Sequence, residues 1–147
     1  MRNEGVERYI PFLIAEAQRL EKAGVDFIVM PCNSLHVFIE QIREAIHVPV
    51  LSIVEETIAF LEKNKFKKVG IVSPSATIKN KLYEHAFEEK EILFETPNGL
   101  QQEKMGKFIH NLVMGKRNNK DREELIEIIN GFESKQVDCV LLACTDL

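Results

Sequence analysis

Apolar positions along the chain fall into two alternating kinds of segment. Ile10, Leu13, Ala17 and Leu20 recur at helical spacing, with Pro11 tolerable in the first turn and Gly24 as a C-terminal stop. Phe27-Ile28-Val29-Met30 is a continuous apolar run, as expected of a strand buried on both faces. Leu35 to Ile46 is helical again, Val48 to Ile53 reads as a second strand, and a helix follows from about Glu55 to Asn64.

The pattern restarts beyond a short charged linker, Asn64 to Lys68. Val69 to Val72 is a strand, and Ser73-Pro74-Ser75-Ala76-Thr77 is a polar turn opening a helix to about Lys90. Ile92 to Glu95 is a strand and Pro97-Asn98-Gly99 a turn. A helix runs from about Gln101 to Met114, Asp121 caps another to about Ser134, and Val137 to Leu142 is the last strand. Strands alternating with helices predict an α/β fold built of parallel sheets in flavodoxin-like layers. The linker divides it into two units, residues 1–64 and 65–147. The first unit offers only two strands, too few for a stable parallel sheet, and the chain stops at Leu147 directly after the last strand. The expectation is therefore an incomplete fold, a longer two-domain protein cut at both ends.

Composition narrows the classes. The 147 residues suit one domain or two very small ones. Hydrophobic residues make up 45% and charged residues 29%, as in globular proteins, and the net charge is -4. The densest basic stretch, Lys116-Arg117-Asn118-Asn119-Lys120, reads as a solvated loop, so no nucleic-acid partner is expected. No apolar run approaches the roughly 18 residues of a membrane span, and Met1-Arg2-Asn3-Glu4-Gly5 lacks a signal core. A cytoplasmic protein without a membrane partner is expected. The nine Phe residues read as core.

Three cysteines, Cys32, Cys139 and Cys144, are an odd and widely spaced set with no C-x-x-C, so neither a disulfide framework nor a metal site is signalled. In a reducing compartment such thiols are either buried structural groups or reactive ones. Cys139 lies inside the last strand and reads as a small hydrophobe. The other two belong to an internal repeat. Val25-Asp26-Phe27-Ile28-Val29-Met30-Pro31-Cys32-Asn33-Ser34-Leu35 aligns without gaps on Val137-Asp138-Cys139-Val140-Leu141-Leu142-Ala143-Cys144-Thr145-Asp146-Leu147. Each copy sets a cysteine just past the C-terminal end of a strand, where open α/β sheets place their ligand sites. Cys32 also precedes a helix that Asn33-Ser34 would cap, so its thiolate would face the positive end of that helix. Equivalent support for Cys144 is expected from residues beyond Leu147.

The segment Pro31-Cys32-Asn33-Ser34-Leu35-His36, followed by Leu141-Leu142-Ala143-Cys144-Thr145-Asp146-Leu147, resembles the aspartate/glutamate racemase superfamily, whose motifs read Cys-Asn-Thr-x-His and Gly-Cys-Thr-Glu. The resemblance covers essentially the whole chain, and Thr77 and Tyr83 also resemble family residues. It implies two pseudo-symmetric α/β domains with the active site in the cleft between them. It implies Cys32 and Cys144 as catalytic acid and base on opposite faces of an amino acid's α-carbon, with no cofactor. Cysteine suits this role because its pKa of about 8.5 is readily depressed. Asn33 and Ser34 match positions that hold the substrate's α-carboxylate or amino group. Thr145 matches the Thr of the second motif, and Thr77 the carboxylate-binding loop of the second domain. Ser75 lies in the same turn, which is either a ligand contact or only a helix cap. Family members are often dimers, so a homodimer is the expected assembly.

Several positions depart from the family pattern. Ser34 stands for Thr, Asp146 for Glu, and Pro74 where Thr or Ser is usual. The lysine of acidic-substrate members, placed shortly before Met114-Gly115-Lys116, is not found; Lys116 is a displaced candidate. An N-terminal strand with a Gly-rich loop is also missing. The side chain of the substrate stays open, as do maleate isomerase or hydantoin racemase chemistry and a non-catalytic binding or assembly module. His36 either orients a thiol or substrate or serves as a structural hydrogen-bonding group; His47, His85 and His110 read as surface residues.

Overall fold

The structure, a computed structural model, describes residues 7–147; the reading of Met1 to Gly5 lies outside them. A 3-10 turn, Glu7–Tyr9, leads into α1 (Ile10–Lys22), and Gly24 ends the connection with a φ of 81° that only glycine adopts without strain. β1 (Ile28–Val29) pairs in parallel with β2 (Val50–Leu51), Ile28 opposite Val50 and Val29 opposite Leu51. Between them run a 3-10 turn, Asn33–Phe38, and α2 (Ile39–Glu44). Ala17, Ile28, Ile39, Ile42, Ile46 and Val50 form the core of this part.

α3 (Ile53–Lys63) leads to the second sheet. There β3 (Lys68–Val72), β4 (Leu93–Glu95) and β5 (Cys139–Leu142) lie parallel in the order β4-β3-β5. α4 (Ser75–Lys79) and α5 (Glu84–Glu89) join β3 to β4, while α6 (Gly99–Val113) and α7 (Asn119–Asn130) join β4 to β5. The central strand β3 is covered on both faces. Val69 and Ile71 pack with Ile58 and Leu61 of α3 and with Tyr83, Phe87 and Ile92. Val72 packs with Met105, Ile109, Ile128 and Phe132 beneath α6 and α7. The parallel α/β architecture is the one that the strand–helix alternation predicts. α3 joins the two parts, following β2 in the chain while burying its apolar face in the second core.

Several local readings are corrected. β1 is not buried on both faces: Ile28 turns into the core, whereas Val29 is 57% exposed beside a half-exposed Leu51, because helices cover one face of this pair. Phe12, Phe27 and Phe60 are likewise exposed rather than core. The stretch from Leu35 to Ile46 is a 3-10 turn followed by a short α-helix, with Asn33 and His36 tied down by side-chain hydrogen bonds in the tighter part. Ser52 does not extend the second strand; it caps α3, its hydroxyl accepting the Glu55 N–H. The helix expected to Lys90 breaks at Lys81, whose φ is 50°, and the break turns Tyr83 into the core. The cap of α7 is Asn118 rather than Asp121, because Asn118 has the extended backbone of a cap and its Oδ1 accepts the Asp121 N–H. Among the described residues, no helix is long and apolar enough to cross a membrane.

Candidate active site

Cys32 lies three residues beyond β1 and Cys144 two beyond β5, each at the C-terminal end of its strand. Cys32 has extended backbone (φ -149°, ψ 108°) at the entry to the 3-10 turn, so the element after it is a tight turn and not the long α-helix expected. Its carbonyl accepts the Leu35 N–H at 3.3 Å and the His36 Nδ1–H at 2.8 Å. His36, 3% exposed, accepts the Ile53 N–H on Nε2 at 3.0 Å. Both ring nitrogens are thus occupied by backbone, as its structural reading required.

Asn33 is buried and does not cap the following turn. Instead its Oδ1 accepts the Tyr83 hydroxyl at 2.5 Å. Burial pushes the Tyr83 phenol above its ordinary range, opposed by a hydrogen bond with Thr57. Ser34 lies 3.5 Å from the Thr77 hydroxyl, oxygen to oxygen, so the loop after β1 meets the first turn of α4. Thr77 is fully buried and Ser75 partly so. These contacts bring Cys32, Asn33, Ser34, Ser75 and Thr77 to one end of the two sheets.

Cys144 is half-buried against the cluster that contains Val72, Met105 and Phe132. Burial holds its thiol above the ordinary thiol range. The Asp146 backbone lowers it somewhat, whereas the Asp146 carboxylate raises it, accepting the thiol proton across 3.8 Å. A negative charge at Cys32 raises it further, the smallest of these effects. Thr145 lies exposed in the turn after Cys144. Cys139 faces partly buried surroundings within β5, and burial raises its thiol pKa, consistent with an inert group.

One residue of this neighbourhood was not legible in the sequence. Gln102, in the first turn of α6, donates from Nε2 to the Ser73 carbonyl at 2.8 Å and lies 3.4 Å from the Ser75 hydroxyl. Its Oε1 is buried with no hydrogen-bond partner among the described residues. The capping box at the start of the same helix is made by Asn98 and the neighbouring Gln101, each side-chain oxygen accepting the other's backbone N–H at 3.0 Å.

The fold is parallel α/β, with Cys32 and Cys144 each just past the C-terminal end of a strand and each followed by a polar turn. The chain belongs to the Asp/Glu/Hydantoin racemase family, whose model it matches over residues 3–147. It is 32% identical over 138 residues to the broad specificity amino-acid racemase RacX of Bacillus subtilis, covering 92% of this chain and 58% of RacX. The aspartate racemase of Picrophilus torridus superposes with a TM-score of 0.79 at 28% identity, covering 94% of this chain and 57% of that one. An aspartate racemase homologue from Pyrococcus horikoshii gives 0.80 at 28% identity, over 99% of this chain and 65% of that one. The chain thus spans under two thirds of the length of each of these three relatives.

Proposed function

We propose that the chain acts as an amino-acid racemase that moves the α-proton between Cys32 and Cys144 without a cofactor. What supports this reading is that each thiol follows the C-terminal end of a parallel strand, Cys32 after β1 and Cys144 after β5, and that Ser34 beside Cys32 meets Thr77 after β3 across 3.5 Å. A Cys32 thiolate takes the α-proton and becomes a thiol. The planar carbanion then takes the Cys144 proton on its opposite face, leaving a Cys144 thiolate and the enantiomer. Burial first, then the Asp146 carboxylate and a charge at Cys32, favour the state in which Cys144 starts protonated, opposed by the Asp146 backbone.

Under this reading the candidate contacts for the α-carboxylate are polar side chains around the two cysteines. Tyr83 occupies Asn33 Oδ1, which leaves the Asn33 amide N–H groups as donors. Ser34 and Thr77 supply two hydroxyls from opposite sides, Ser75 a third held by Gln102, and Thr145 a fourth beside Cys144. Such donors would hold the carboxylate and the charge that develops on it in the transition state. The same reading includes a cytoplasmic enzyme with reduced thiols, assembled as a homodimer, with two units dividing near residue 64.

The test is α-proton exchange. The chain, with thiols reduced, is incubated in D2O with L-aspartate, L-glutamate and a set of neutral amino acids, and the α-proton NMR signal is followed. Exchange accompanied by racemisation of at least one is expected; none on any substrate overturns the reading. Cys32→Ala and Cys144→Ala should each lower racemisation by about 10²–10⁴-fold, the usual contribution of a general acid or base. An undiminished single variant refutes the two-base scheme.

A further inference from the structure

We propose that His36 is a positioning residue: a neutral imidazole whose Nδ1–H holds the Cys32 backbone while its Nε2 anchors to the start of α3. The inference rests on the reading of Cys32 as an acid/base group, and its grounds are geometric. A carbonyl oxygen can only accept, so the 2.8 Å contact with Cys32 places the imidazole proton on Nδ1. The Ile53 N–H points at Nε2 over 3.0 Å, which requires a lone pair there. The two contacts agree on one tautomer. Ile53 is the first residue of α3, and its N–H is one of the donors that a helix leaves unpaired at its start. His36 therefore bridges the segment after β1 to the helix after β2.

The bridge sits in a braced frame. Arg43, from α2, donates to the Val50 carbonyl at the start of β2 and makes a two-pronged contact with Glu55 of α3, both prongs at 2.8 Å. Ser52 accepts the Glu55 N–H and so fixes the same helix end. Protonating His36 at Nε2 would set two donors face to face beside the positive end of α3. Burial favours the neutral ring most, the Cys32 carbonyl opposes it, Arg43 supports it and Glu55 opposes it. Because the imidazole contacts the Cys32 main chain and not its sulfur, its effect on the thiol is one of placement.

Three measurements on the full chain test this. Long-range ¹H–¹⁵N correlation at pH 7 is expected to find His36 as the Nδ1–H tautomer; an Nε2–H tautomer or an imidazolium overturns the assignment whatever the variants do. His36→Asn keeps a donor near Nδ1 for the Cys32 carbonyl, and His36→Gln keeps an acceptor near Nε2 for the Ile53 N–H. Iodoacetamide alkylation of Cys32, located by peptide mass spectrometry, and α-proton exchange are then compared in both. His36→Gln is expected to change the Cys32 alkylation rate and to lower kcat by about 10- to 100-fold with KM little altered, the scale of a misplaced reacting group. His36→Asn should stay nearer the wild type in both. Equal losses in the two variants, or no loss in His36→Gln, overturn the proposal. If the wild-type chain exchanges no amino acid, the racemase reading alone fails, and the tautomer and alkylation results still decide the role of His36.

Discussion

The Tyr83 hydroxyl donates to Asn33 Oδ1 across a separation of 50 residues, so the loop that carries Cys32 is tied to the segment between α4 and α5. Both partners are buried, at 1% and 5% exposure, and neither has water to fall back on. Tyr83→Phe removes the donor and leaves the buried Asn33 oxygen without it. A buried acceptor stranded in this way costs about 1–3 kcal/mol. The urea midpoint should fall accordingly, and KM for any exchanged amino acid should rise because Asn33 loses its fixed orientation. An unchanged midpoint would mean that the hydroxyl contributes nothing to the junction.

Gly70 sits in the centre of β3 with the Phe132 ring against it. A Cβ placed at Gly70 would lie 2.9 Å from Cγ of that ring and 3.0 and 3.1 Å from its two neighbours. Phe132 is 2% exposed and packed with Met105, Ile109 and Ile128, so the ring has little space to yield. Gly70→Ala should therefore destabilise the chain by about 1–3 kcal/mol through overpacking. Thermal unfolding of the variant measures it, and a wild-type Tm would show that the ring moves aside at no cost.

Strand ends and helix faces were legible because burial writes a period into the sequence. The runs around Ile28 and Leu141 located both strands that present the cysteines, and the repeat set Cys32 and Cys144 at equivalent ends. What a period cannot report is the partner across the core. Nothing in the residues around Asn33 names Tyr83, and nothing around Ser75 names Gln102. The exposed Val29 and Phe27 were misread for a related reason: an apolar run tells that a face can be buried, whereas the two-stranded sheet has helices on one side only. The break at Lys81 was hidden too, since lysine carries no turn signal to announce its φ of 50° or the inward turn of Tyr83 that follows it.

Asp138 joins β5 to β3 through its side chain. Its Oδ2 accepts the backbone N–H groups of Lys67 at 2.6 Å and Lys68 at 2.9 Å, and these bonds hold the carboxylate below its ordinary range. A folded pKa below the unfolded value of about 3.9 stabilises the chain above that value, and the stabilisation disappears as pH falls through the folded pKa. Asp138→Asn should lower Tm at pH 7 and flatten the acid-side decline of Tm below about pH 5. Calorimetry across that range checks both, and a variant whose Tm follows the wild-type curve would remove Asp138 from the acid response.

Asp146 supplies a prediction about the reaction itself. The proposed two-base transfer needs one thiolate and one thiol, and under it the alkaline limb of the rate would report loss of the Cys144 proton. Burial is the chief reason that this thiol lies high. The Asp146 backbone lowers its pKa, and the Asp146 carboxylate raises it both through its charge and by accepting the proton. Asp146→Asn keeps the backbone contribution and removes the charge. The Cys144 pKa should then fall, and the alkaline limb of α-proton exchange should move to lower pH. Alkylation of Cys144, followed by mass spectrometry over the same pH range, should shift in the same direction. A limb that stays in place while the alkylation profile moves would show that a group other than Cys144 donates the proton.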